Sequence, residues 1–264
     1  MLGLLAGAVG ALIEGPEAGW SSSLVLTLAV LAVVCLALFT VVERRVAEPL
    51  VDLRFFRSAA FSSSVLIAVM VFTVQGGCLF LVPLLLQGPF GYSALMTGAL
   101  ILPMAAVLAL SSPVSGRLVG RRGTRPSLVI GGAAISVASV MLVFISTGTP
   151  AWYLIIAFTM LGAGIGFINP PITTTAVAGL PLSQAGTASG LASASRQVGV
   201  ALGVAVAGLA ASADDLRLTA ASHPVFRLTA VLGLVVASLG VVSTTRWARG
   251  TRHRLDALFN ASDA

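Results

Sequence analysis

Long apolar runs alternate with short polar gaps along the whole chain. Seven runs approach the length of a bilayer crossing: Leu24 to Val42, Phe61 to Leu86, Ala94 to Pro113, Leu128 to Ile145, Trp152 to Thr175, Ala188 to Ala211 and Leu228 to Thr245. A hydrocarbon core of about 30 Å needs about 20 helical residues. Backbone groups in lipid must be satisfied within the segment, and the runs lack the apolar/polar alternation of barrel strands, so each is predicted to be a helix. Leu2 to Ile13 is apolar but would span only about 18 Å. It lacks the positive n-region and cleavage site of a signal peptide, and reads as the second half of a spanning helix.

Turn chemistry marks the gaps. Glu14 to Trp20 combines acids, helix breakers and an interfacial Trp, while Gln87 to Tyr92 and Ser146 to Trp152 read as tight turns with aromatic anchors. Such short links predict that neighbouring helices are antiparallel partners. Ser212 to Phe226 reads as the longest external gap, with Asp214 and Asp215 balancing Arg217.

Composition turns this pattern into an environment. With 57% hydrophobic residues, 9% charged residues and mean hydropathy +1.03 over 264 residues, a water-soluble globular domain is excluded. The fold class is therefore all-α integral membrane. Every one of the 15 Lys+Arg residues is Arg, and twelve lie in three segments. These are Arg44, Arg45, Arg54 and Arg57; then Arg117, Arg121, Arg122 and Arg125; then Arg246, Arg249, Arg252 and Arg254. Even numbers of spans separate these segments, so they share one side, and the positive-inside rule makes it cytoplasmic, tail included. The net charge of +6 then fits the anionic cytoplasmic leaflet of a cell membrane as partner rather than nucleic acid.

The polar segment from Glu43 to Ser58 is the best internal boundary. The expected organisation is a truncated helix at 1–13, an external loop at 14–23, an extra helix at 24–42, a cytoplasmic linker at 43–58, six helices over 59–246 and a cytoplasmic tail at 247–264. Within the six, Gly77 to Pro83 and Gly164 to Pro170 share one spacing, a faint echo of inverted three-helix repeats.

Polar residues inside apolar runs are the candidate site. Arg196 reads as the one strongly charged residue within a span, about 22 Å from the external end of its helix and so in the cytoplasmic leaflet. An arginine there must face protein or water, as a gating or inter-helix residue or a substrate contact, or else snorkel to the surface. Ser189, Ser193, Arg196, Gly199 and Gly203 share one helical face. Gly162, Gly166, Asn169 and Thr173 share another, interrupted by Pro170 and Pro171, which marks either a lined pathway or a structural kink. Gln75 is read the same way, against a plain inter-helix hydrogen bond. Gly162 with Gly166, Gly186 with Gly190, and Gly199 with Gly203 have the four-residue spacing of helix packing.

Other chemistry is not encoded. The glycines from Gly162 to Gly166 lie within an apolar run and not after a soluble strand, so no dinucleotide fingerprint is present. His223 and His253 are placed in an external loop and the tail without ligand companions, and no Ser, His and acid set converges. No enzyme activity, catalytic residue, metal or cofactor is expected. Cys35 and Cys78 sit in apolar runs as small hydrophobes.

Two segments carry a family resemblance. One is Leu86 to Gly98, followed by Pro103 and Gly116-Arg-Leu-Val-Gly-Arg-Arg-Gly-Thr-Arg125; the other is Gly162-Ala-Gly-Ile-Gly-Phe-Ile-Asn-Pro-Pro171, then Gly186 to Gly190 and Ser195 to Val204. In order and spacing they resemble the C-terminal half of the fourteen-helix drug/proton antiporters of the major facilitator superfamily, the EmrB/QacA type. Glu43 to Arg57 looks like that family's link into its second half. The resemblance implies a six-helix half of a major facilitator fold, preceded by one partial and one complete extra helix. It implies alternating access, in which two halves rock about a midplane site and exchange a proton for a hydrophobic small molecule.

Gly116, Arg117, Arg121, Gly123 and Arg125 fall on the family's cytoplasmic loop signature G-x-L-x-D-R-x-G-x-R, the gating loop that the resemblance implies. Gly116 would allow close helix approach and Gly123 a left-handed turn. The signature's Asp is replaced by Gly120, so an arginine–carboxylate latch inside this loop has no partner, and a simple cationic turn is the alternative. No acidic residue lies in a complete span, so proton coupling is expected to reside in a missing N-terminal six-helix half. The function implied is the C-terminal portion of a multidrug exporter, incomplete alone. The alternative is a non-transporting membrane remnant, or a half that binds a partner.

Overall fold

A computed structural model describes residues 7, 10, 22–43, 59–177, 182–211 and 215–242. The described residues form seven long helices: α1 (Ser23–Glu43), α2 (Ala59–Gln87), α3 (Ala94–Arg122), α4 (Thr124–Val143), α5 (Ala151–Val177), α6 (Leu182–Ala211) and α7 (Asp215–Val242). The six from α2 to α7 are long and apolar enough to cross a membrane. The expected truncated helix, first loop, linker and tail lie outside the described residues, apart from isolated positions.

Local chemistry sets the ends. Ser93 caps α3, its Oγ accepting the Met96 N–H at 3.2 Å, and Gly91 just before it takes φ +67°. A single residue, Gly123, joins α3 to α4 at φ +79° and ψ −178°, a conformation open essentially to glycine alone. Between α4 and α5, the Ser146 N–H donates to Thr149 Oγ1 at 2.8 Å, and Tyr153 Oη donates back to Met141 O at 3.0 Å.

Two boundaries differ from the sequence expectation. The helix expected to end at Pro113 runs through it to Arg122, so Gly116 to Arg122 is helical and the turn is Gly123 alone. Pro113 itself lies on an exposed face of the helix. The gap before Leu228 is mostly helix: α7 begins at Asp215 because Leu218, Ser222, Val225 and Phe226 are buried at helical spacing. His223 is thus a half-buried helical residue whose Nε2 lies 3.4 Å from Ile145 O, and not a loop residue. Arg227 also lies within α7, exposed, so Arg196 is not the sole arginine inside a membrane-length helix. Since His223 is level with the end of α4, the first two turns of α7 project about 12 Å beyond it and Arg227 lies about one turn inside. A side chain there reaches the interface by snorkelling.

The most extensive helix pairings are α2 with α6, α4 with α7, α3 with α5, and α4 with α5. Advancing each helix by three turns the α2–α6 pair into the α5–α3 pair, and α4–α5 into α7–α2, as two similar three-helix units require. Sequence neighbours α2 and α3 touch little, contrary to the expectation that short links make the main partners. Small residues decide instead. A Cβ on Gly199 would lie 2.5 Å from Val69 O, and one on Gly203 would overlap Thr73 O. On the other side α4 lies between α5 and α7, with a Cβ on Gly132 only 2.7 Å from Gly233 O. Ser136 Oγ donates across that contact to Ala230 O at 3.1 Å. The interior is filled by Val74, Leu81, Ile135, Leu142, Leu154, Phe158, Leu161, Ile165 and Ile168. By contrast, α1 exposes Leu24, Leu26, Val30, Val33 and Leu38 and takes no part in the main pairings.

Candidate functional site

Three helices meet at Arg196. In α5, Asn169 and Thr173 stand one turn apart, and Thr173 Oγ1 donates to Asn169 O at 3.4 Å. Arg196 on α6 donates from Nη2 to the same Thr173 oxygen at 2.7 Å. On α2, Phe72 places its ring centroid 5.6 Å from the Arg196 guanidinium carbon. A cation over an aromatic face gains electrostatically, most where water is excluded. The Phe72 Cβ stands 2.9 Å from where a Cβ on Gly199 would be, so the missing side chain lets α2 deliver the ring beneath the arginine.

Of the four expected pathway residues, Thr173 and Arg196 meet side chain to side chain, and Asn169 joins them only through its backbone carbonyl. Gln75 does not join them: its Oε1 is buried and has no hydrogen-bond partner among the described residues. Arg196 Nε is buried and unpaired as well. Because the helix starts at Leu182, Arg196 lies midway along α6, and its 15-residue distance from Ala211 is the one the sequence predicts. Phe72 was not singled out by sequence; its position three residues before Gln75 is the only signal that could have found it.

The expected packing glycines divide. Gly162 lies against Met104 O, and a Cβ on Gly166 would lie 2.7 Å from Leu108 O, so α3 and α5 approach closely there. Gly199 and Gly203 do the same for α6 against α2. A Cβ on Gly186 or Gly190 would meet nothing within 4 Å, so among the described residues no helix packs there. Gly116 was expected to admit a neighbouring helix and likewise faces open space. The rest of that signature is exposed: Arg117, Arg121 and Arg125 have no ion-pair partner among the described residues, and Gly123 supplies the positive-φ turn.

The six membrane-length helices make this a multi-pass membrane protein, with the Arg196–Thr173 contact between two of them. The chain belongs to the Major Facilitator Superfamily, whose family model matches residues 1–204. It is 38% identical over 205 residues to the multidrug resistance protein Stp of Mycobacterium tuberculosis, covering 76% of this chain and 38% of the relative. It is 35% identical over 216 residues to the tetracenomycin C resistance and export protein of Streptomyces glaucescens, covering 78% and 39%. Against the quinolone resistance protein NorB of Staphylococcus aureus the identity is 30% over 199 residues, covering 74% and 42%. The chain spans about two-fifths of the length of these relatives.

Proposed function

We propose that this chain is the C-terminal portion of a proton-coupled exporter of hydrophobic small molecules, of the fourteen-helix type, and supplies one wall of an alternating-access cavity. The Arg196–Thr173 contact carries the reading. An arginine midway along a membrane-length helix is costly unless it faces protein or water, and here it ties α5 to α6 over an aromatic ring of α2. A contact joining three helices is the kind that must break and re-form when helices rock. The export and resistance names of the relatives point to amphipathic drugs as cargo. The arginine-rich ends of α3 and α4 then face the cytoplasm, and the coupling carboxylate comes from a partner six-helix half.

Reconstitution in vesicles with an imposed pH gradient tests this. The chain paired with an N-terminal half should export an amphipathic dye such as ethidium in a gradient-dependent way, and the chain alone should not. Sustained dye-dependent proton flux through the chain alone would overturn the assignment of coupling to the other half. No transport in any pairing would leave the non-transporting reading.

A further inference from the structure

Pro170 and Pro171 stand side by side within α5, and each removes one backbone N–H. In an unbroken helix those groups would bond the carbonyls of Gly166 and Phe167. Both carbonyls have found donors on another helix: Ser115 Oγ of α3 donates to Phe167 O at 2.6 Å, and Ser112 Oγ of α3 to Gly166 O at 3.3 Å. Two missing donors are replaced, position for position, by two hydroxyls one turn apart.

The two serines are not equivalent. Ser112 shares its proton with Leu108 O of its own helix at 2.9 Å. Ser115 is fully buried, and its recorded bond goes to α5. Thr73, Thr174, Ser195 and Ser238 all bond the carbonyl four residues back in their own helices, as hydroxyls in apolar helices usually do. Ser115 has exchanged that local acceptor for a distant one. Gly162 and Gly166 allow it, because side chains there would hold α3 too far away.

We infer that Ser115, assisted by Ser112, is a positioning residue that clamps the proline break of α5 to α3 by substituting for the N–H groups the prolines lack. Ser115 lies two residues before Arg117 of the loop signature, and Thr173 lies two residues beyond the break. The clamp therefore joins the arginine-bearing end of α3 to the helix turn that holds Arg196. Opening it would strand a carbonyl in a buried, water-poor site, so the break has a closed and an open state and few between. This inference concerns the bundle itself and stands whether or not the chain belongs to an exporter.

Amide hydrogen exchange on the full chain in lipid nanodiscs decides it. Ser115→Ala should speed exchange over 168–177 by about tenfold, the effect of losing one buried hydrogen bond. Pro171→Ala restores an N–H for Phe167 O, so adding Ser115→Ala to it should produce little further change. Ser111→Ala removes a neighbouring hydroxyl that bonds Leu108 O within its own helix, and should leave 168–177 unchanged. Equal acceleration by Ser111→Ala, no acceleration by Ser115→Ala, or no rescue by Pro171→Ala would each overturn the clamp. If Ser115→Ala alone does not fold, recovery of a folded protein in the double variant supports the clamp, and failure to recover it refutes it.

Discussion

Arg196 and Thr173 are 23 residues apart in the chain, and the guanidinium donates to the threonine hydroxyl at 2.7 Å from a neighbouring helix. Thr173 passes the contact on to the Asn169 carbonyl within α5. One charged side chain in the middle of a membrane-length helix is thereby tied to the turn just beyond a double proline.

Arg196→Ala should reduce transport by the paired protein about tenfold or more, since a hydrogen bond to a charged group contributes about 1.5–3 kcal/mol. Arg196→Lys should recover only part, because an ammonium lacks the planar fork and stacks poorly on Phe72. Dye efflux from vesicles measures both. Unchanged efflux and unchanged unfolding in Arg196→Ala would assign the residue to snorkelling.

Gly203→Ala should lower the thermal unfolding midpoint in detergent. Its Cβ would overlap Thr73 O and approach Gly77 N to 2.6 Å, both backbone atoms that move only if α2 and α6 separate. Overpacking of this kind costs about 1–3 kcal/mol. Gly190→Ala, with open space around it, should change stability by less than about 0.5 kcal/mol.

Gly123→Ala should destabilise the α3–α4 junction by about 1–3 kcal/mol, the cost of forcing a Cβ into the conformation at φ +79°. Gly120→Ala, three residues earlier in the helix with nothing near its Cβ position, should be neutral or slightly stabilising. Parallel unfolding curves of the two variants make the comparison.

Gln75→Leu separates a pathway role from a structural one. A buried acceptor without a partner contributes nothing to stability, so an apolar side chain of similar size should leave the unfolding midpoint unchanged or raised. Lost transport with retained stability would place Gln75 in the pathway. A lowered midpoint would show that the amide holds helices together.

Much of this arrangement was legible in one dimension because lipid is an unforgiving solvent. The apolar runs located each membrane-length helix among the described residues, and Asn169, Thr173 and Arg196 stood out because polar groups at that depth must be held by something. The Gly162–Gly166 and Gly199–Gly203 pairs were legible for the same reason: four-residue spacing puts both on one face. The pair Gly186 and Gly190 has identical spacing and yet meets nothing. Spacing reports which residues share a face, and not whether a helix covers it.

Helix ends were less legible where hydropathy and helicity part company. Pro113 and the polar residues after Asp215 looked like terminators, yet α3 and α7 continue through them, one with its proline flank exposed and the other with Leu218 and Phe226 buried.

By itself the sequence determined that the chain spans a membrane as helices and which polar residues sit at a cost inside. It did so because those properties depend on composition along a line and on the solvent outside. Only the tertiary structure decided who satisfies whom: that α6 lies along α2 and α3 along α5, that Phe72 lies under Arg196, and that Ser112 and Ser115 answer Pro170 and Pro171. Those pairings depend on the close approach of two backbones, and no single helix records which neighbour its small face will meet.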